Sequence, residues 1–182
     1  MLTIKDIKYK AEKYFKRIEI ISDNVYGFQM QPNAKFLKGI SRKQIDELQK
    51  LFGFDFPWEY REMLLIFSNI DAHWISINPD DKSDVEYKRE NFFYQYPEDY
   101  EKSRWIIEEL NDNIIEAEKV LTEAGFDVSK IVGYIPMFHH RVLVVFEDKY
   151  LSPVISVWGA DIIMFGNNLR EYLKNELLNI GF

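Results

Sequence analysis

The chain has 182 residues, no cysteine, a hydrophobic fraction of 47% and a net charge of −7. That length fits one domain with enough interior for a real core, and the missing cysteines exclude disulfides, thiolate zinc sites and a cysteine nucleophile. No apolar run approaches the roughly 20 residues needed to cross a bilayer, and the opening M-L-T-I-K-D-I-K-Y-K lacks the apolar stretch of a signal peptide. The expectation is a soluble cytoplasmic protein with no membrane partner.

The charge is unevenly spread. Residues 1–79 carry 12 basic and 10 acidic side chains, residues 80–123 carry 6 and 14, and residues 124–182 carry 5 and 6. A middle quarter at −8 argues against nucleic acid as a partner and for something basic, although an acidic surface also serves solubility alone.

In chain order, Ile4, Ile7, Ala11, Tyr14, Phe15 and Ile18 recur at helical spacing, with lysines off the stripe. Val25–Met30 reads as a short strand. Ser41-Arg42-Lys43-Gln44 has the form of a capping box that opens a helix lined by Ile45, Leu48 and Phe52 and closed by Gly53. Pro57 starts a second helix, spaced by Tyr60, Leu64 and Phe67 and ended by Asn69-Ile70-Asp71; Trp74–Ile77 reads as a strand. The stretch 78–104 has no clean period. From Trp105 to Ala124 the helical pattern returns, with Asn111-Asp112-Asn113 as a kink or break and Gly125 as a stop. Three strands follow at about 139–146, 153–158 and 161–165, an antiparallel meander. On the first of these, Val142, Val144 and Phe146 oppose Leu143 and Val145, so both faces are apolar and the strand sits near the sheet centre. After Gly166 the period turns helical, with Leu169, Tyr172, Leu173 and Leu177 on one face. The sum is one α+β domain.

The sequence shows little catalytic machinery. There is no glycine-rich phosphate loop, no Gly-x-Ser-x-Gly elbow and no His-Glu-x-x-His. His139 and His140 are adjacent, so on a strand they would face opposite sides and could not chelate one ion together. His140, Arg141, Asp148 and Asp161 lie near strand ends, where turn hydrogen bonds and internal ion pairs are their commoner roles. No metal, no cofactor and no enzymatic activity are expected.

Two stretches carry a resemblance. Phe36-Leu37-Lys38-Gly39-Ile40-Ser41 with Ile45, Leu48, Phe52-Gly53-Phe54, Phe56-Pro57, Tyr60-Arg61 and Ser68-Asn69 resembles the opening of the SUKH superfamily. Pro136-Met137-Phe138-His139-His140-Arg141, Pro153-Val154-Ile155-Ser156-Val157, Asp161-Ile162-Ile163 and Leu169-Arg170-Glu171-Tyr172-Leu173 resemble the closing third of one SUKH branch, except that His139 stands where glycine is expected. The resemblance implies a mixed, mainly antiparallel curved sheet of about six strands backed by helices. It makes residues 1–35 an N-terminal helical extension and residues 78–130 a family-variable acidic insert within a single domain spanning residues 1–182. It also implies an immunity protein that binds and blocks a cognate bacterial polymorphic toxin, of which a basic nuclease is the leading kind. The alternative is a non-catalytic intracellular scaffold of the cell-wall-regulator type.

A nuclease attracts phosphate and so presents a basic cleft. The expected partner-binding residues are therefore the carboxylates Asp80, Asp81, Asp84, Glu86, Glu98, Asp99 and Glu101 for electrostatic steering. Tyr87, Tyr94, Tyr96 and Tyr100 are the expected anchors, since tyrosine offers large area and a polar tip with few rotors to freeze.

Overall fold

In the computed structural model of the chain, which describes residues 2–17, 27–30, 34–71, 74–78, 81, 83–88 and 91–178 (only the backbone of 27–30, 74–77 and 85–88), the run Val142–Phe146 lies wholly out of solvent. Around it the described elements are, in order, α1 (Ile4–Phe15), β1 (Gly27–Met30), β2 (Phe36–Lys38), α2 (Arg42–Phe52), α3 (Trp58–Ile66), β3 (Phe67–Ile70), β4 (Trp74–Ile77) and β5 (Val85–Lys88), then α4 (Arg104–Asp112), α5 (Ile114–Glu123), β6 (Ile131–Phe138), β7 (Arg141–Phe146), β8 (Val154–Trp158), β9 (Asp161–Gly166) and α6 (Leu169–Leu178). This is a mixed α+β fold. Among the described residues its strands form an antiparallel sheet β6-β7-β8-β9, a pair β2-β3 and a three-stranded sheet β1-β4-β5.

The four-stranded sheet is covered on both faces. Leu143, Val145 and Val154 face a core completed by α1, α3 and α6, through Ile4, Ile7, Met63, Leu64, Leu173 and Leu177. Val142, Val144, Ile155 and Val157 face a second core completed by Ile106, Leu110, Ala117 and Leu121 of α4 and α5. The alternation of β7 thus divides as its two-residue period requires.

Local signals set the helix ends. Thr3 and Asp6 form a capping box on α1, and Ser41 and Gln44 form one on α2, which closes on Gly53 at φ 81°. Asn113 separates α4 from α5, and Gly125 at φ 90° ends the pair. Gly39 is required for a different reason: a Cβ there would stand 2.2 Å from the Leu65 carbonyl oxygen, because β2 runs hard against the end of α3.

Three expectations need correcting. The second helix ends at Ile66, and Phe67 opens β3 at once, so Asn69 sits in a strand. Residues 131–138, which lie outside the three expected strands of this region, form a strand despite Pro136. The proline is tolerated because β6 is a sheet edge and its register shifts there. Finally, β7 begins at Arg141, because His139 and His140 form the tight turn from β6, with His139 itself at φ 47° where glycine would be easier.

Buried polar groups lock the layers. The Glu59 carboxylate of α3 accepts from Ser152 Oγ at 2.8 Å and from the Arg170 backbone N–H at 3.3 Å, while Ser152 Oγ accepts from Leu169 N–H at 3.2 Å. These bonds serve the unpaired amides that open α6. Arg141 donates to Ser156 Oγ at 2.8 Å, lies over the Phe165 ring and pairs with Glu176 of α6 at 3.4 Å, which is the structural role expected of it. Burial raises the Glu176 carboxyl, and Arg141 partly offsets this.

Candidate interaction groove

The irregular stretch after β5 is a strap tying the β2-β3 pair to the four-stranded sheet. Asn69 is fully buried and holds it at one end: its side chain donates to the Phe93 carbonyl at 2.8 Å and accepts from Phe93 N–H at 2.8 Å. Phe92 N–H also donates to the Ile70 carbonyl at 3.0 Å. At the other end Tyr94 N–H donates to the Met137 carbonyl at 2.9 Å, and Tyr96 Oη to the Pro136 carbonyl at 2.8 Å, both on β6. Phe92 stacks on Phe138 with centroids 3.9 Å apart. The aromatics at 92–96 lack a period because they fit neither helix nor sheet; each is placed by its own partner.

Where the strap passes α2 and α3 it leaves a groove of about 350 Å3. Leu48, Leu51, Tyr60, Leu64 and Tyr96 give it an apolar floor, and Gln44, Glu47, Tyr94 and Glu98 edge it with polar groups, two of them carboxylates. The capped stripe of α2 explains one wall: Ile45 and Leu48 are buried, whereas Leu51 at its margin stays 41% exposed. Tyr60, from α3, is buried, and burial raises its phenol pKa. A second hollow of about 280 Å3 lies beyond the strap, lined in part by Phe52, Phe54, Tyr100, Arg104 and Tyr134.

The expected partner-binding residues divide. Tyr94, Tyr96 and Glu98 meet at the groove, whereas Tyr100 lines the second hollow and packs against Phe52 at 5.4 Å. Tyr96 needs correction as a free anchor. Its hydroxyl is engaged with Pro136 and Ser103, its ring meets Phe52 at 4.9 Å, and burial pushes its pKa well up, so it serves as floor. Asp99 accepts from Gln95 N–H at 2.8 Å and shapes the strap, and Glu101 pairs with Arg104 at 3.0 Å. Asp81 and Asp84 belong to the turn before β5, where Ser83 and Asn78 donate to them; Ser83 holds the Asp81 carboxyl below its usual range. Glu86 and Tyr87 are consecutive in β5, in register with Ser76 and Ile75 of β4. Asp80 lies outside the described residues, as does His73.

The α2 side of the groove, Gln44, Glu47 and Leu51, has no counterpart in the expected set. A leucine at the margin of an amphipathic stripe was its available signal. Of the polar residues near the strand ends, Asp148 accepts from Tyr150 N–H at 3.0 Å, and Asp161 is exposed where β9 begins, paired in register with Trp158. His140 packs against Trp158 at 5.5 Å; burial first, then Arg141 and His139, pushes its pKa down to about 3. Among the described residues no group of three or more His, Cys, Asp or Glu is placed to hold a metal ion, and no helix is long and apolar enough to cross a membrane. Comparison of the chain with protein-family models, with curated proteins and with solved structures finds no match.

Proposed function

We propose that this chain is a binding protein of the immunity type, which captures a basic protein toxin by direct contact in the cytoplasm and carries out no chemistry itself. A nuclease is the leading toxin class, since an enzyme that holds phosphate must display cationic side chains. The observation that carries the reading is the groove: an apolar floor edged by Glu47 and Glu98, built partly from residues of the acidic, tyrosine-rich stretch. An apolar floor with an acidic rim suits a segment whose apolar anchor is flanked by lysine or arginine. The rim steers encounter over distance, and the desolvated centre sets residence time. The SUKH-like pattern of motifs belongs to the same proposal, and the α+β architecture is compatible with it.

The test is toxin rescue paired with kinetics. Co-expression with the cognate basic nuclease toxin should restore growth. The double variant Glu47→Lys, Glu98→Lys should slow association about tenfold at low salt and flatten its salt dependence. Equal association rates at low ionic strength would remove the groove from the mechanism, and absence of rescue would remove the toxin.

A further inference from the structure

Adjacent histidines diverge on a strand, but in a turn they need not. His139 adopts φ 47°, a left-handed conformation that non-glycine residues seldom take, and this brings its Nδ1 to 3.1 Å from Nδ1 of His140. That separation suits a hydrogen bond between two imidazoles. It also suits two ligands on one ion: a metal about 2.0–2.1 Å from each nitrogen would subtend an N–metal–N angle of about 100°, between square-planar and tetrahedral values. The χ2 torsion of histidine is broad, so a modest turn of each ring aims both lone pairs at such an ion.

We propose that His139 and His140 form a two-imidazole binding site for a borderline divalent transition-metal ion, with Cu2+ bound most tightly. Imidazole nitrogen suits copper, nickel and zinc, and affinity along the series peaks at Cu2+. The site is held from both sides. Trp105 packs edge-on against His139 at 5.8 Å and Trp158 against His140 at 5.5 Å. Tyr94 Oη reaches the His139 carbonyl at 3.4 Å and accepts from Trp105 Nε1 at 3.2 Å, which ties the turn to α4 and to the strap. His139 and His140 are themselves only half-buried, and the flanking tryptophans are 40% and 63% exposed, so the turn lies at the surface. The described residues offer no third side chain of the usual ligand types, and water completes the coordination shell. Ligation needs both Nδ1 lone pairs. The single proton between the rings therefore moves through solvent to Nε2 of the ring that carried it, with no net release from a neutral pair.

The flanking indoles supply the readout. Cu2+ titrated into the protein should quench tryptophan fluorescence saturably at one equivalent, and Mg2+, which prefers oxygen ligands, should not. His139→Gly suits the positive φ, so the turn persists while one ligand goes; the apparent Kd for Cu2+ should weaken by at least about tenfold. Unaltered Cu2+ affinity in His139→Gly, with circular dichroism matching the parent, would overturn the site.

Discussion

The two faces of the four-stranded sheet are covered in different ways. The face under α1, α3 and α6 is assembled from helices at opposite ends of the sequence and carries buried polar locks, Glu59 to Ser152 and Arg170, and Arg141 to Ser156 and Glu176. The face under α4 and α5 is covered by one unbroken stretch of chain. Its interior is apolar, and its polar tie is at the rim, where Glu109 accepts from Gly159 N–H at 2.8 Å. An apolar stripe decides which side of a helix is buried but leaves it free to slide along its axis. Helices brought from afar need directional bonds to fix that position, whereas a helical pair joined through Asn113 is already confined by its short connection.

That contrast can be broken by substitution. The largest effect is expected from emptying the cores: Leu110→Ala under α4 and Leu173→Ala under α6 should each cost about 2–5 kcal/mol in denaturant unfolding. Hydrogen exchange then separates the faces. Amides of α4 and α5 should open at a lower free energy than those of α6, and the reverse order would end the comparison. Asn69→Ala should cost about 2–3 kcal/mol, because it strands the buried Phe93 amide and carbonyl together. Glu59→Gln keeps the shape and a contact to Ser152 but removes the charge facing Arg170. With that guanidinium a third exposed, about 1–2 kcal/mol is expected, read as a lowered Cm with unchanged m. Ser41→Ala, which removes the α2 cap, should cost about 1 kcal/mol and leave both cores intact.

The elements read correctly from sequence are those whose cause is local. The Ser41 box, Gly53, the Asn113 break and the two-sided β7 each follow from a few adjacent residues. The errors arise where a distant partner decides. Phe67 continues the spacing of α3, yet pairing with Lys38 draws it into β3; Pro136 reads as punctuation until its place on an edge strand is known. The groove was half legible. Acidic composition and tyrosine content marked the strap, but hydrogen bonds from β6 decided which tyrosine turns inward, and the α2 wall meets it only in three dimensions. The histidine pair lies in a turn rather than on the expected strand, so the outward and inward alternation of a strand does not apply to it.

The strap also has a consequence for solution behaviour. By taking the carbonyls of Met137 and Pro136, it occupies one end of the outer border of β6, which would otherwise accept a strand from another molecule. Any condition that peels residues 92–96 away therefore invites self-association through that border, at a rate rising with protein concentration. If a partner seats against Tyr94 and Tyr96 as proposed, it would press the strap onto β6, and occupancy of the groove and protection from aggregation would then rise together.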